Sequence, residues 1–148
     1  MSDTLDDWAK RLQSEIDEQT RAEYGEAAFQ RWQNPLYMGV MKNADGHGRV
    51  TGSCGDTMEM FLKFDQARVA KASFTTDGCG ASAVCGSYAA EMAVGCTIEE
   101  LMALTGEKVL ARLGDIPEED HHCAFLAAAT LQAALEDCLA ARIGVRHR

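Results

Sequence analysis

The spacing of apolar residues predicts two helices in the first third of the chain. In the first helix, apolar side chains recur at three- and four-residue steps with charged side chains between them, at Leu5, Trp8, Leu12 and Ile16. This pattern is typical of an amphipathic helix and carries no chemistry of its own. A second, shorter helix is predicted over residues 24–33, and it ends before Pro35 because the residue preceding a proline avoids helical geometry.

An antiparallel hairpin is predicted in the middle of the chain. Apolar and polar residues alternate over residues 58–65, which indicates a half-buried strand, and residues 68–75 return as its partner. Residues 42–52 contain several glycines with an asparagine and an aspartate, and they are predicted to be a loop that carries Cys54 at a mobile edge. Since a hairpin returns the chain to its starting end, we expect Cys54 and Cys79 to lie close together.

Helical patterns return in the second half of the chain. Residues 81–94 are a run of small, helix-compatible residues that Gly95 ends, and Thr97 opens a short helix. A final helix is predicted over residues 123–140, with an apolar face that can pack on the sheet. A hairpin followed by helices indicates an α+β fold.

Length and composition suit one soluble domain. The chain has 148 residues, of which 47% are hydrophobic, and a net charge of -9. No stripe of Lys and Arg is interleaved with aromatic residues, so nucleic acid is not expected as a partner, and a basic or cationic amphipathic protein is favoured. The acidic start lacks the features of a secretory signal, and no segment is expected to be long enough to span a bilayer. We therefore expect a cytoplasmic protein whose six cysteines serve metal binding rather than disulfides.

Three cysteines stand in short glycine- or histidine-bearing settings, unlike the apolar runs that surround cysteines kept for packing. Cys54 lies in Gly-Ser-Cys-Gly-Asp, Cys79 in Asp-Gly-Cys-Gly, and Cys123 in His-His-Cys. Glycine leaves the sulfur unshielded and the backbone free to approach a ligand. Asp56 and His122 are close in sequence to two of these sulfurs. Thiolates with a carboxylate and an imidazole suit zinc or iron–sulfur chemistry better than magnesium or calcium.

Cys79 and Cys123 are each predicted at the start of a helix. The unpaired N–H groups and the positive end of the helix dipole favour a thiolate, so the pKa of each thiol is expected to lie below the usual value of about 8.5. The alternative is that all three cysteines are ordinary buried residues and that Asp56 only forms or caps a turn.

The remaining cysteines and histidines are predicted to lie outside this site. The cysteines fall inside the alanine-rich helix, at the turn after it and on the last helix, and they are Cys85, Cys96 and Cys138. His121 is expected to be a loop residue and His47 a surface residue, and His147 belongs to the tail.

Taken together, these residues resemble the IscU/NifU-type scaffold on which iron–sulfur clusters are built. The motifs that carry the resemblance are, in order, Asn34-Pro35, Gly52-Ser53-Cys54-Gly55-Asp56, Gly78-Cys79-Gly80-Ala81-Ser82 and His122-Cys123. The resemblance covers about residues 24–140, and it is specific because ligand type, order and intervening secondary structure agree. It implies a small antiparallel sheet of about three strands with helices packed on one face. It also implies a set of cluster ligands that joins three thiolates to a carboxylate and an auxiliary imidazole: Cys54, Cys79, Cys123, Asp56 and His122.

The resemblance implies an assembly scaffold rather than an enzyme. It implies that ferrous iron binds the site and that a PLP-dependent cysteine desulfurase of the IscS/NifS type delivers sulfur as a persulfide. It further implies that an electron donor such as a ferredoxin then gives a transient [2Fe-2S] cluster for transfer to apo-proteins. Cys123 is the expected sulfur acceptor, with His122 helping to deprotonate it. Asp56 is a harder, weaker partner for iron than a fourth thiolate, so it is expected to keep the cluster labile, and Zn²⁺ can occupy the same ligands.

The extent of the resemblance predicts the domain organisation. Residues 1–22 are expected to be an N-terminal helical extension, residues 23–141 the scaffold domain, and residues 142–148 a basic tail. Many members carry a Leu-Pro-Pro-Val-Lys segment near the His-Cys pair, whereas this chain has Ile-Pro-Glu-Glu-Asp at 116–120. The sequence therefore leaves open whether a DnaK-type chaperone acts on it, and it also leaves a homodimer open.

Two other classes remain open from the residues alone. A structural zinc-binding module would need four permanent ligands and would unfold on chelation. A thiol enzyme would use Cys123 as nucleophile and His122 as base, although adjacent side chains at a helix start often diverge and no substrate-binding motif accompanies them.

Overall fold

A three-stranded antiparallel sheet and the helices that pack on one of its faces make up the fold. The computed structural model describes residues 4–78, 80–114 and 116–144, with only the backbone of residues 23 and 24. The elements, in chain order, are α1 (Leu5–Gln33), β1 (Gly46–Thr51), β2 (Thr57–Asp65), β3 (Arg68–Thr76), α2 (Gly80–Ala93), α3 (Ile98–Met102), α4 (Gly106–Leu113), a 3₁₀ turn (Glu118–Asp120) and α5 (His121–Arg142). The predicted α+β fold with about three strands is confirmed.

The predicted hairpin supplies two of the three strands of the sheet, the central strand β2 and the edge strand β3. β2 pairs with β1 on one side and with β3 on the other, with Met58 opposite Thr76 in the β2–β3 register. Met58, Met60 and Leu62 are fully buried on one face, as the alternation of the sequence predicts. α2 and α5 contact the sheet and close the core on this face.

α1 is divided by Gly25, whose φ of 82° interrupts the helical backbone. Two helical segments are predicted in this region, and the interruption falls beside the predicted start at residue 24. After it, Ala28 and Phe29 are buried, and Trp32 packs against the core. Before it, the predicted apolar stripe lies at the surface, with exposures from 42% to 79% for Leu5, Trp8, Leu12 and Ile16. The predicted boundary between residues 22 and 23 lies within α1.

β1 corrects the prediction of a loop over residues 42–52. Alternation of apolar and polar side chains does not reveal this strand, because Gly46 and Gly48 have no side chains. They are needed because the strand lies directly on the backbone of α5: a Cβ on Gly48 would stand 2.6 Å from the Thr130 carbonyl oxygen. Close backbone approach is one of the reasons for glycine inside a strand.

α5 corrects a second expectation. Within the described residues, Glu118–Arg142 is long and apolar enough to cross a membrane, so the expectation that no segment reaches this length is wrong. However, α5 packs on β1, β2, α2 and α4, and many of its side chains are buried in the core. This degree of burial is typical of a helix in a protein core, and such helices also meet the length and composition criteria for a membrane span.

The packing of β1 on α5 predicts that Gly48→Ala is strongly destabilising. The added methyl group meets backbone atoms of α5 that cannot rotate away, so we expect the free energy of unfolding to fall by about 2 to 3 kcal/mol. Arg49→Ala, on the exposed side of the same strand, is the matched control and should change it by less than about 0.5 kcal/mol. Urea denaturation of both variants measures the difference. Equal stability of Gly48→Ala and the parent protein would contradict this account of β1.

Candidate metal centre

The β1–β2 turn places Cys54 at the surface. The Gly52 N–H donates to the Asp56 carbonyl (2.8 Å) and the Gly55 N–H donates to the Gly52 carbonyl (3.0 Å), which closes the turn. Gly55 has a φ of 92°, which glycine adopts readily and other residues avoid. Cys54 is exposed within this tight turn. The predicted position at the edge of a long loop is therefore wrong, because β1 shortens that loop.

The junction between β3 and α2 runs beside Asp56. The Thr57 N–H donates to Asp77 Oδ1 (2.7 Å), which ties the junction to the start of β2. A Cβ on Gly78 would stand 2.6 Å from Asp56 Oδ2, so the backbone passes directly alongside this carboxylate. Cys79 lies outside the described residues, between Gly78 and the first residue of α2.

The start of α2 is fixed against α1. A Cβ on Gly80 would stand 2.5 Å from Trp32 Cζ2, so the indole packs on the bare backbone of the first residue of α2. Next to Trp32, Arg31 donates to Ser87 Oγ (3.0 Å) and pairs with Glu91 (2.6 Å). These contacts hold the end of α1 on α2 beside the predicted site.

The start of α5 supplies one buried and one exposed side chain. Cys123 is fully buried and His122 is exposed, yet His122 Nε2 lies 3.5 Å from Cys123 Sγ. The expected divergence of these adjacent side chains is therefore wrong. His121 begins α5 rather than lying in a loop, and its Nε2 lies 3.2 Å from the Ile116 carbonyl oxygen.

Ser82 joins the sheet side of the site to α5. It is fully buried on α2, its Oγ donates to Asp56 Oδ2 (3.0 Å), and the same Oγ lies 3.5 Å from Cys123 Sγ. Asp56, Ser82, Cys123 and His122 thus form one connected series of side chains. The sequence analysis assigned no role to Ser82. Its position in the sequence, three residues after the predicted ligand Cys79 at a predicted helix start, is the signal that could have identified it, because helical residues three apart share a face.

The turn that carries Cys54 lies against α5. A Cβ on Gly52 would stand 3.5 Å from Leu126 Cδ1 and 3.8 Å from Cys54 Sγ. Leu126 lies one helical turn after Cys123 on α5. The turn that carries Cys54 therefore rests on the first turns of α5.

The donor types present suit zinc and iron. Thiolates and imidazole are ligands that both metals accept, and carboxylate is a weaker addition. Asp56, His122 and Cys123 belong to the connected series, Cys54 lies on the adjacent turn, and Cys79 is outside the described residues. Across residues 4–78, 80–114 and 116–144, no three His, Cys, Asp or Glu side chains form a ready group that could hold a metal ion.

The other cysteines have packing or local contacts. Cys85 and Cys138 are buried among apolar residues. Cys96 is partly buried at the turn after α2, and its thiol donates to the Met92 carbonyl (3.1 Å). Burial raises the pKa of the Cys96 thiol, and the nearby Glu100 carboxylate raises it further against an opposing effect of Arg68.

His47 lies on the strand β1, where its backbone N–H donates to Asp137 Oδ2 of α5 (2.9 Å) and its ring contacts residues of β2. Its ring stacks on Phe61 with centroids 4.7 Å apart, and its Nε2 lies 3.0 Å from Glu59 Oε1. It is exposed, as expected for a surface residue. The prediction for His147 lies outside the described residues.

The fold and these residues define a small α+β protein with thiol, carboxylate and imidazole groups gathered at one end of an antiparallel sheet. Comparison with known families makes the assignment specific. Residues 23–143 match the NifU-like N terminal domain, and the chain belongs to this family. The resemblance predicted from the motifs is confirmed.

Relatives named as iron–sulfur cluster assembly scaffold proteins match most of the chain. The chain is 39% identical over 115 residues to the iron–sulfur cluster assembly scaffold protein IscU 1 of Archaeoglobus fulgidus, a match that spans 77% of this chain and 75% of that protein. It is 32% identical to the IscU scaffold protein of Aquifex aeolicus, over 79% of this chain and 76% of that one. It is 30% identical to the IscU scaffold protein of Escherichia coli K12, over 77% of this chain and 92% of that one.

Solved structures share the fold. A scaffold protein described for the SUF system of Fervidobacterium islandicum AW-1 superposes with a TM-score of 0.63 at 22% identity, covering 78% of this chain and 98% of that one. The N-terminal part of a NifU-like protein from Brucella abortus gives a TM-score of 0.54 at 19% identity, covering 79% and 92%. At these identities the likeness establishes the fold.

The exposure of the cysteines predicts their order of alkylation. In the presence of a chelator, iodoacetamide should modify Cys54 about tenfold faster than Cys96 at neutral pH, because Cys54 is exposed and the raised pKa of Cys96 leaves less thiolate. Since a raised pKa delays ionisation, the rate at Cys96 should rise only at higher pH than that of a free cysteine derivative used as reference. Peptide mass spectrometry measures both rates. Faster modification of Cys96, or a pH profile at or below the reference, would contradict this description.

Proposed function

We propose that this protein is a scaffold that assembles a [2Fe-2S] cluster from ferrous iron and desulfurase-derived sulfur and transfers it to apo-proteins. Membership of a family whose relatives are named iron–sulfur cluster assembly scaffold proteins supports this. The main structural support is that three separate segments come together: the β1–β2 turn, the start of α2 and the start of α5. Ser82 of α2 joins them, because its hydroxyl contacts Asp56 on the turn and Cys123 on α5. The proposed ligands of the cluster are Cys54, Asp56, Cys79, His122 and Cys123.

Sulfur delivery begins at a thiolate. The sulfur of Cys123 attacks the outer sulfur of a persulfide on a cysteine desulfurase, a new S–S bond forms, and the desulfurase thiolate leaves. His122 Nε2 lies 3.5 Å from Cys123 Sγ, and this distance supports His122 as the proposed acceptor of the thiol proton. Reduction of each bound sulfur to sulfide takes two electrons, of which ferrous iron supplies one on becoming ferric and an electron donor such as a ferredoxin supplies the other.

The burial of Cys123 adds a requirement to this step. In the structure Cys123 is fully buried, whereas its neighbour His122 and Cys54 on the β1–β2 turn are exposed. A desulfurase must therefore displace the β1–β2 turn or His122 before its persulfide can reach Cys123. The exposed position of these two groups makes them the part of the site that a partner contacts first.

Asp56 is the proposed source of lability. A carboxylate is a harder ligand than a thiolate and holds iron in a sulfide cluster less firmly. One oxygen of Asp56 is already engaged by Ser82, so the other oxygen is the one left for the metal. A cluster meant for transfer benefits from one weak ligand.

The proposed partners follow from the cargo. They are an IscS/NifS-type desulfurase, an electron donor and apo-protein acceptors, with a second copy of the chain as a further candidate.

Cytoplasmic location is proposed because thiolates that exchange a cluster must stay reduced. Glu118–Asp120 forms an acidic 3₁₀ turn within residues 116–120, which differ from the Leu-Pro-Pro-Val-Lys segment of many members, and this difference argues against recognition by a DnaK-type chaperone through that segment.

A Cys/His thiol enzyme is the second candidate, because His122 and Cys123 are in contact. A small substrate would have to reach a residue that is fully buried, which disfavours turnover at this pair.

Zn²⁺ can occupy the same ligands, but a structural zinc module would depend on the metal for folding. Here a large apolar core lies between the sheet and helices α2 and α5. Retention of the fold after chelation would therefore argue against a structural zinc module.

Anaerobic reconstitution with iron, cysteine and a desulfurase tests the scaffold proposal. Visible absorbance should report a cluster in the parent protein and its loss in Cys54→Ser, Cys79→Ser and Cys123→Ser, because each variant replaces a thiolate with a poorer ligand. Cys96→Ser is the control, since its thiol bonds to the Met92 carbonyl, and it should load like the parent. Absence of a cluster in the parent protein would refute the proposal.

The role of Asp56 predicts that Asp56→Ala slows cluster release. Transfer to an apo-ferredoxin should become about fivefold to tenfold slower, which corresponds to a barrier higher by roughly 1 to 1.4 kcal/mol. Asp65→Ala, at the opposite end of β2, is the matched control and should transfer at the parental rate. The loss of cluster from the donor is followed by circular dichroism. Unchanged or faster transfer from Asp56→Ala would show that the carboxylate is not the source of lability.

A further inference from the structure

The hydroxyl group of Ser82 contacts two proposed ligands without belonging to the ligand set. Its Oγ donates to Asp56 Oδ2 at 3.0 Å and lies 3.5 Å from Cys123 Sγ. A hydroxyl has one proton, and an ionised carboxylate is a stronger acceptor than sulfur, so the hydrogen bond to Asp56 is the one that fixes its orientation. Ser82 is fully buried, and this bond satisfies it.

The surroundings of Asp56 hold the same oxygen in place. A Cβ on Gly78 would stand 2.6 Å from Asp56 Oδ2 and 2.7 Å from Ser82 Oγ, so the hydrogen bond runs directly over the bare backbone of Gly78. The backbone of Asp56 is fixed as well, because its carbonyl accepts the Gly52 N–H at 2.8 Å. Among the described residues, no side chain donates a hydrogen bond to Asp56 Oδ1. The two carboxylate oxygens therefore differ, because only Oδ2 accepts a hydrogen bond from a buried side chain.

We propose that Ser82 is a positioning residue that reserves Asp56 Oδ2 and presents Oδ1 alone to the metal. This inference rests on the proposed function, since it concerns how one proposed ligand of that site is oriented. Groups that hydrogen-bond to a metal ligand from outside fix its orientation, and their loss commonly lowers metal affinity by about 10- to 100-fold. A carboxylate held by one oxygen also binds through one metal bond, which agrees with its proposed role as the weak ligand.

Zinc binding by the full-length protein separates this role from a merely structural one. Ser82→Ala should lower the zinc affinity by about tenfold or more, measured by competition with a chromophoric chelator. In the Asp56→Ala background the same substitution should change the affinity by less than about twofold, because Ser82 acts through that carboxylate. Ser87→Ala is the matched control, as Ser87 is the other fully buried serine of α2 and contacts Arg31 instead. It should bind zinc like the parent.

A spectroscopic measurement does not depend on any Ser82 variant. An infrared difference spectrum is recorded between zinc-loaded and zinc-free parent protein, and the Asp56 carboxylate bands are assigned by their loss in Asp56→Ala. These bands should be those of a monodentate carboxylate, which binds the metal through one oxygen. A two-oxygen carboxylate would overturn the inference. So would a parental affinity in Ser82→Ala, or an equal loss in both backgrounds. Failure of the parent protein to bind zinc would instead overturn the proposed metal centre and this inference with it.

Discussion

The close approach of β1 to α5 is the constraint on which the position of the site depends. A Cβ on Gly46 would stand 2.9 Å from Cys138 Cβ, one on Gly48 would stand 2.6 Å from the Thr130 carbonyl oxygen, and one on Gly52 would stand 3.5 Å from Leu126 Cδ1. The contacts move toward the start of α5 as β1 proceeds toward its end. The strand therefore runs antiparallel to the helix and carries its turn to the level of Cys123. The two glycines that make the closest approach possible, Gly46 and Gly48, lie outside the candidate metal centre.

Burial of α2 explains why a polar residue became part of the site. Residues 81–90 are all buried, because α2 lies between β3, α1, α4 and α5. Small residues allow this packing, as at Gly86, where a Cβ would stand 2.6 Å from Phe74 Cε2. A serine on such a helix has no water to bond to, so it must find a partner inside the protein. Ser82 finds Asp56, and the cost of burying its hydroxyl is offset by a bond that orients a proposed ligand.

The residues that sequence reasoning located correctly are those with a strong local signal. The alternation from Met58 to Leu62, the break at Gly95 with its φ of 87°, and the capping box at Thr97 all appear as expected. β1 was missed because Gly46 and Gly48 serve a contact with a helix some ninety residues later, which no local pattern reveals. The position of the apolar stripe of α1 was equally beyond local reasoning, since amphipathicity predicts a face without showing what it packs against.

The candidate site follows the same division. Residue types and motif order predicted the thiols, the carboxylate and the imidazole as ligands, because glycine- and histidine-flanked cysteines are unusual in a core, and the structure connects Asp56, His122 and Cys123 through Ser82. Sequence did not reveal how exposure is divided among them: Cys54 and His122 face solvent, whereas Cys123 and Ser82 are fully buried. A buried ligand is held by the packing around it, and an exposed ligand on a turn can move at little cost. The buried side of the site, with Cys123 and Ser82, is therefore rigid, and the exposed side, with Cys54 and His122, can move. Under the proposed function, sulfur enters and a finished cluster leaves on the exposed side, where displacing a turn does not require opening the core.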